Sequence, residues 1–382
     1  MHRVSKYRFV FYSSCSVVFA TLLLVPIVQP ANAASERLFA ANVGHLVDAR
    51  LDPLVSPGSC ASHVHSVFGN ALFGADITPQ MLLDPTGDWK DIKGKYNTTT
   101  SELIPNLSMY WAPSMYIVKD GIYHLVPSFA RPYYRITLRS DGDTSRINAF
   151  PPFLRMIVGD ASRKEAWTSE DIDRDDIRWK LRTINRNSTN YLQHGDWSYL
   201  MNNTDLANID EVELKLRFPE CLAVNSCTGD PITKSEDWRS HAAYISGWDR
   251  HRQSFCPITH PYQIPMLDLE VRYKLDPMRE LLGVDHVNDV SNWILSSGDK
   301  SGAGGHADFV NGWPTELMQN MIQNCTDAMS RGGRECYLDQ FEINGRANKK
   351  VPYHGKVPRE KVDNLTNLLT AADECVVTSQ TI

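Results

Sequence analysis

The sequence predicts a mainly β fold: a single β-sandwich or jelly-roll-like domain with short helices and long loops. Two observations lead there. Apolar residues alternate with charged ones in several short runs, which is the period-2 signature of strands with one buried face. Those runs are bounded by proline and glycine, 21 and 22 in the chain, whereas helical periodicity is confined to one late segment.

Along the chain, Met115–Val118 and Arg155–Val158 are the first short apolar candidates. The stretch from Ser162 to Asp210 is rich in Asp, Arg and Asn and predicts an exposed polar insertion (162–210), too polar for a core of its own. Val212, Leu214 and Leu216 then alternate with charged residues before Phe218-Pro219. Ile264, Met266 or Leu267, Leu269, Val271 and Tyr273 repeat the pattern, and Trp293–Leu295 closes the strand candidates. Pro314 opens a helix over 314–325, with Leu317, Met318, Met321 and Ile322 on one face. The predicted organisation is a leader over 1–33, a β-rich domain over 34–330 and a C-terminal extension over 331–382.

The leader reading rests on a basic opening (His2, Arg3, Lys6, Arg8), an apolar run from Phe9 to Val28, and the small-x-small triplet Ala31-Asn32-Ala33. Export to the extracellular space or the cell wall is therefore expected. Acceptor triplets at Asn97, Asn106, Asn187, Asn202, Asn324 and Asn364 predict N-glycosylation. Seven cysteines follow the leader, enough for three bridges and one spare thiol, in an order that spacing leaves open. The leader holds three of the Lys/Arg and no Asp/Glu, so its removal takes the formal charge from -6 to -9. That balance argues against nucleic acid or an anionic membrane as partner, while a polysaccharide or wall component remains the expected one.

Six segments concentrate His, Trp, Tyr, Gly and Pro beyond what a plain sandwich requires. They are SPGSCASHVHSVFG (56–69), MYWAPSMY (109–116), AFPPFLRMIVGD (149–160), WRSHAAY (238–244), CPITHPYQIP (256–265) and LSSGDKSGAGGHADFVNGW (295–313). Over roughly residues 49 to 325 they closely resemble DUF1996, a secreted family best represented in fungi and defined as a domain of unknown function. One departure is visible: Phe218-Pro219-Glu220-Cys221 is followed by Leu-Ala-Val, where family members usually carry Trp-Asp-Gly. The resemblance implies a shared fold and site but no reaction.

The chemistry is therefore argued from the residues. His63 and His65 at i and i+2 on a strand would share a face, and His306 and Asp308 repeat that spacing beside Gly304 and Gly305. Those four are the candidate ligands of one transition-metal ion, since imidazole and carboxylate together suit zinc, manganese, iron or copper. Without metal, His63, His241 or His260 could move protons with Tyr116 or Tyr244 as acid, and Arg155 could neutralise a uronate. Tyr110, Trp111 and Trp313 are candidate sugar-stacking platforms. Asp160, Glu270 and Asp299 could supply a carboxylate pair for glycoside hydrolysis. No nucleophile elbow, P-loop or dinucleotide fingerprint occurs, so no nucleotide cofactor is expected. The expected function is a carbohydrate-active enzyme, hydrolase or lyase, with a His-rich and metal-dependent site. The alternative is a non-catalytic glycan- or wall-binding protein whose histidines are structural.

Overall fold

In a computed structural model, residues 36–82, 99–103, 105–137, 146–166, 176–183, 189–191, 197, 206–245, 256–324, 358–359 and 376–377 are described. Strands dominate and pair antiparallel throughout, so the fold is mainly β. The larger sheet has six strands. In chain order they are β1 (Glu36–Ala40), β7 (Ser128–Thr137), β9 (Ile177–Thr183), β10 (Thr189–Tyr191), β11 (Ile209–Arg217) and β15 (Met266–Lys274), and in space the order is β1-β7-β15-β11-β9-β10. The second sheet runs β2-β3-β4-β17-β8: His45–Ala49, His65–Gly69, Met109–Pro113, His306–Val310 and Arg155–Gly159.

Facing sides of the two sheets form one core. Trp179, Leu181, Val212, Leu214, Leu269, Val271 and Tyr134 from the larger sheet share it with Phe68, Tyr110, Met156, Ala307 and Phe309 from the smaller. This is a sandwich, as the alternating runs predict. Among the described residues, two three-stranded sheets and short helices accompany it. They include β5 (Met115–Lys119) between β6 (Ile122–Leu125) and β16 (Trp293–Leu295), and β12 (Cys221–Leu222) between β13 (Ala242–Ala243) and β14 (Tyr262–Gln263). The helix over Thr315–Asn324 follows Pro314 and buries Leu317, Met318, Met321 and Ile322. Among the described residues no helix is long and apolar enough to cross a membrane.

One expectation is corrected. The polar stretch 162–210 is not only an insertion, because Ile177–Thr183 pairs with β11 inside the larger sheet. Ile177, Trp179 and Leu181 point into the core, while Lys180 and Arg182 on the other face reach Glu213. Glu213, Glu270 and Asp268 are buried on that outer face, each held by cations such as Lys180, Arg272, Lys215 and Arg217. The charges that make the composition look non-globular thus neutralise one another across strands.

Cys221 is bridged to Cys256, Cys60 is also disulfide-bonded, and Cys227 is free and exposed. The leader, the extension beyond residue 330 except two short strand pieces, and the acceptors Asn97, Asn187, Asn202 and Asn364 lie outside the described residues. Asn324 ends the late helix, and nothing further of its side chain is described. Asn106 is corrected: it is fully buried, and its Nδ2 donates to the Tyr110 hydroxyl at 3.1 Å. A glycan on that nitrogen would have to pass through the core, so the folded chain has no room for it.

Candidate metal centre

The site is built on the outer face of the five-stranded sheet, under the segment from Leu51 to Ala75. That face packs a second, smaller core of Leu51, Leu54, Val67, Phe73, Trp111, Ile157 and Val310. His65 opens β3 opposite Pro113 of β4, and His306 opens β17 opposite Gly159 of β8. Since Asp308 pairs with Trp111, His306 lies in the row of Pro113. The two histidines therefore start about two strand spacings apart, roughly 10 Å, and lean toward each other over the proline. His63 does not sit on the strand; it comes from the loop just before it. That loop is held by buried Arg50, which donates to Ser62 O at 2.7 Å.

The three rings converge on one point. His63 Nε2 is 3.0 Å and His65 Nε2 3.4 Å from His306 Nε2. For a metal–nitrogen bond of about 2.0–2.1 Å, a tetrahedral angle puts two ligand nitrogens about 3.3 Å apart. The observed separations sit on either side of that value.

Backbone carbonyls set the tautomers. His65 Nδ1 donates to Leu51 O at 3.0 Å and His306 Nδ1 to Gly304 O at 2.9 Å. With Nδ1–H committed, each Nε2 presents a bare lone pair, and the two lone pairs face each other. His63 Nδ1 lies 3.0 Å from Ser62 Oγ, which can hold it as donor or acceptor. Burial first, then the neighbouring His65 and His306, push His63 far below the ordinary histidine range. Burial and His306 do the same to His65, and burial brings His306 down to about 4. All three rings are neutral at neutral pH, the form that binds metal.

The loop before β17 is built for this purpose. Asp299 takes Gly304 N at 2.7 Å, Ser301 N at 2.8 Å and Ser301 Oγ at 2.7 Å, placing the carbonyl that orients His306. Gly159 has φ +82°, and a Cβ there would lie 2.2 Å from Gly305 O and 2.6 Å from His306 Cα. Only glycine lets β8 come this close.

Asp308 does not complete the histidine set. Its ligand oxygen groups with Asp52 and His65, within 4.8 Å, while His63, His65 and His306 form the other group. The four expected ligands thus split into two adjoining clusters that share His65. Burial first, then Asp52, pushes Asp308 well above the carboxylate range. Asp52 was not legible in the sequence: a lone aspartate 13 residues before His65 has no spacing signal.

Residues 52–313 match the family described as "Domain of unknown function (DUF1996)". The chain belongs to the DUF1996 family. The matched span starts at Asp52 and ends at Trp313, so the DUF1996 region encloses both clusters. No curated protein and no solved structure matches the chain.

The remaining expected site residues of this DUF1996 chain scatter. Tyr110, Trp111 and Trp313 are corrected: all three are buried and cannot stack on a sugar. Tyr110 and Trp313 both bond the Tyr134 hydroxyl in the inter-sheet core, and Trp111 packs on Phe73. The physical reason is that aromatic rings alternate to both faces of β4, and both faces are covered. Tyr116 packs against Val64, Ile294 and Tyr123 on a separate small sheet. His241 bonds Ser235 Oγ, and His260 bonds Ser240 O at 3.0 Å, so both staple the loops around β12–β14 and lie outside the histidine cluster. Arg155 is on the outer face, its guanidinium 4.3 Å from the Phe153 ring and 5.3 Å from Trp238. Asp160, Glu270 and Asp299 do not meet: Asp160 is exposed beside Ser162, Glu270 is in the ionic lattice of the larger sheet, and Asp299 clamps its loop. Tyr244 bonds Arg217 O.

Proposed function

We propose that this chain is a secreted, metal-dependent enzyme of polysaccharide cleavage, with His63, His65 and His306 as ligands of one transition-metal ion. The observation that carries the reading is the opposed pair of neutral imidazole lone pairs at 3.4 Å, fixed by Leu51 O and Gly304 O, with His63 Nε2 at 3.0 Å. Two acceptors held face to face repel, and a cation between them turns that repulsion into shared coordination. Imidazole donors favour zinc, copper, iron or nickel, and three ligands leave a position for water or substrate. An ion held there supplies a Lewis acid and a water of lowered pKa.

The chain's own residues do the rest. His63 is the most exposed of the three, at 7% against 4% for His306 and 0% for His65, so the open side lies toward it. Lys164, Arg239 and Asp160 are exposed and close enough to act on the charge of His306. Two cations beside one carboxylate favour an anionic chain, such as one bearing uronates. Phe153 and Trp238, half-buried around Arg155, offer the aromatic edge that Tyr110, Trp111 and Trp313 do not. Structural histidines, the alternative reading, account for His241 and His260.

The test is the metal content of untagged protein from a eukaryotic secretory host, by elemental mass spectrometry. About one equivalent of a transition metal, lost in His63→Ala and His306→Ala, is the expected result, together with loss of reducing-end release from an acidic wall polysaccharide. Protein that neither carries nor takes up metal would overturn the reading. Elimination, as against hydrolysis, is recognised by an unsaturated product absorbing in the near ultraviolet.

A further inference from the structure

Beside the histidines lies a pair of buried carboxyl groups, and among the described residues no ion pair reaches either of them. Asp308 is 1% exposed, and neither of its oxygens has a hydrogen-bond partner among the described residues. Asp52, 6% exposed, accepts the amides of Leu54 and Val55 through Oδ1, both at 3.1 Å, which fixes its orientation. A buried, unpaired carboxylate costs several kcal/mol, and two side by side cost more.

The spacing shows what is missing. Oxygens of Asp52 and Asp308 and a nitrogen of His65 lie within 4.8 Å of one another. A direct hydrogen bond between the carboxylates would close that gap to about 2.6 Å, and none is formed. Two oxygens bound to one ion at about 2.1–2.4 Å each can lie up to about 4.8 Å apart, so the group is compact enough to share an ion.

We infer that Asp52 and Asp308 hold a second divalent cation next to the three-histidine ion, making a two-metal centre with His65 between the two positions. This rests on the preceding reading only for the first ion. His65 has one free nitrogen and gives it to the histidine position, so the second ion has carboxylate ligands and completes its shell with water or substrate. That donor set is hard and selects manganese, magnesium or calcium, where the imidazole set selects zinc. The two positions therefore differ in metal preference, and a pair of ions side by side would stabilise the attacking water oxygen and the leaving oxygen of a displacement.

The experiment uses the full chain from a eukaryotic secretory host, stripped with chelator, loaded with one equivalent of zinc, and titrated with manganese by electron paramagnetic resonance. Wild type should take up one manganese ion, and Asp308→Asn and Asp52→Asn should bind it at least tenfold more weakly while keeping their zinc. No manganese uptake by wild type, or uptake unchanged in both variants, would overturn the inference. Failure of the histidine reading looks different: zinc would stay bound in His306→Ala.

Discussion

At the level of single residues, burial decides what each ionisable group does. Glu220 sits between Pro219 and the bridged Cys221, nearly inaccessible, and burial pushes it up to about 7 against the opposing pull of Arg217. The folded chain therefore binds one more proton than the unfolded chain between the ordinary glutamate value of 4.5 and about 7. Stability contributed by this group is greatest below that window and falls as pH rises through it. Glu220→Gln removes the proton dependence. Its unfolding free energy at about pH 8 should exceed wild type by up to about 3 kcal/mol, with little difference near pH 4.5, read as a shifted urea midpoint. An unchanged midpoint at the higher pH would mean that Glu220 is ionised and paired in the fold. None of this is visible locally, because Glu220 reads in sequence as one more surface glutamate.

At the level of elements, the clearest alternating runs became strands. Val212, Leu214 and Leu216, and Leu267, Leu269, Val271 and Tyr273, are strands β11 and β15 for that reason. Ile177–Thr183 was hidden because its outward residues are cations whose carboxylate partners, Glu213 and Glu270, lie on other strands. Average polarity over a window cannot see cross-strand neutralisation. β8 and β17 show how an element makes a site: Gly159 admits the β17 backbone and so sets His306. Gly159→Ala should cost about 2 kcal/mol or more, from the positive φ and the backbone collision together. It should also weaken zinc binding more than His260→Ala does, measured by competition with a chromogenic chelator. Equal weakening by the two variants would separate β8 from the site.

For the whole molecule, the histidine cluster joins chain segments 243 residues apart, tying the loop before β3 to β17. An ion bound only by the folded form must raise its stability by mass action, by about 4 kcal/mol at a free concentration a thousand times Kd. Wild type should accordingly melt several degrees higher with zinc than with chelator, and His65→Ala should show no such difference by calorimetry. A zinc-independent Tm in wild type would mean that the fold holds the rings together without an ion. The Cys221–Cys256 bridge and the ionic lattice on the larger sheet should be unaffected by zinc, since they lie on other faces.

The sequence by itself determined the sandwich class, the long strands β11 and β15 with a few shorter ones, the late helix, the family and three of the metal-capable histidines. Those are set by local pattern: side-chain period, proline position, and His-x-His and His-x-Asp spacings. Tertiary structure alone decided that His63, His65 and His306 meet while Asp308 turns to Asp52. It alone decided that His241 and His260 hold loops and that Tyr110, Trp111 and Trp313 are core. The reason is physical. Which residues line a site depends on which strands become neighbours and which face is covered, and both follow from pairings made across hundreds of residues.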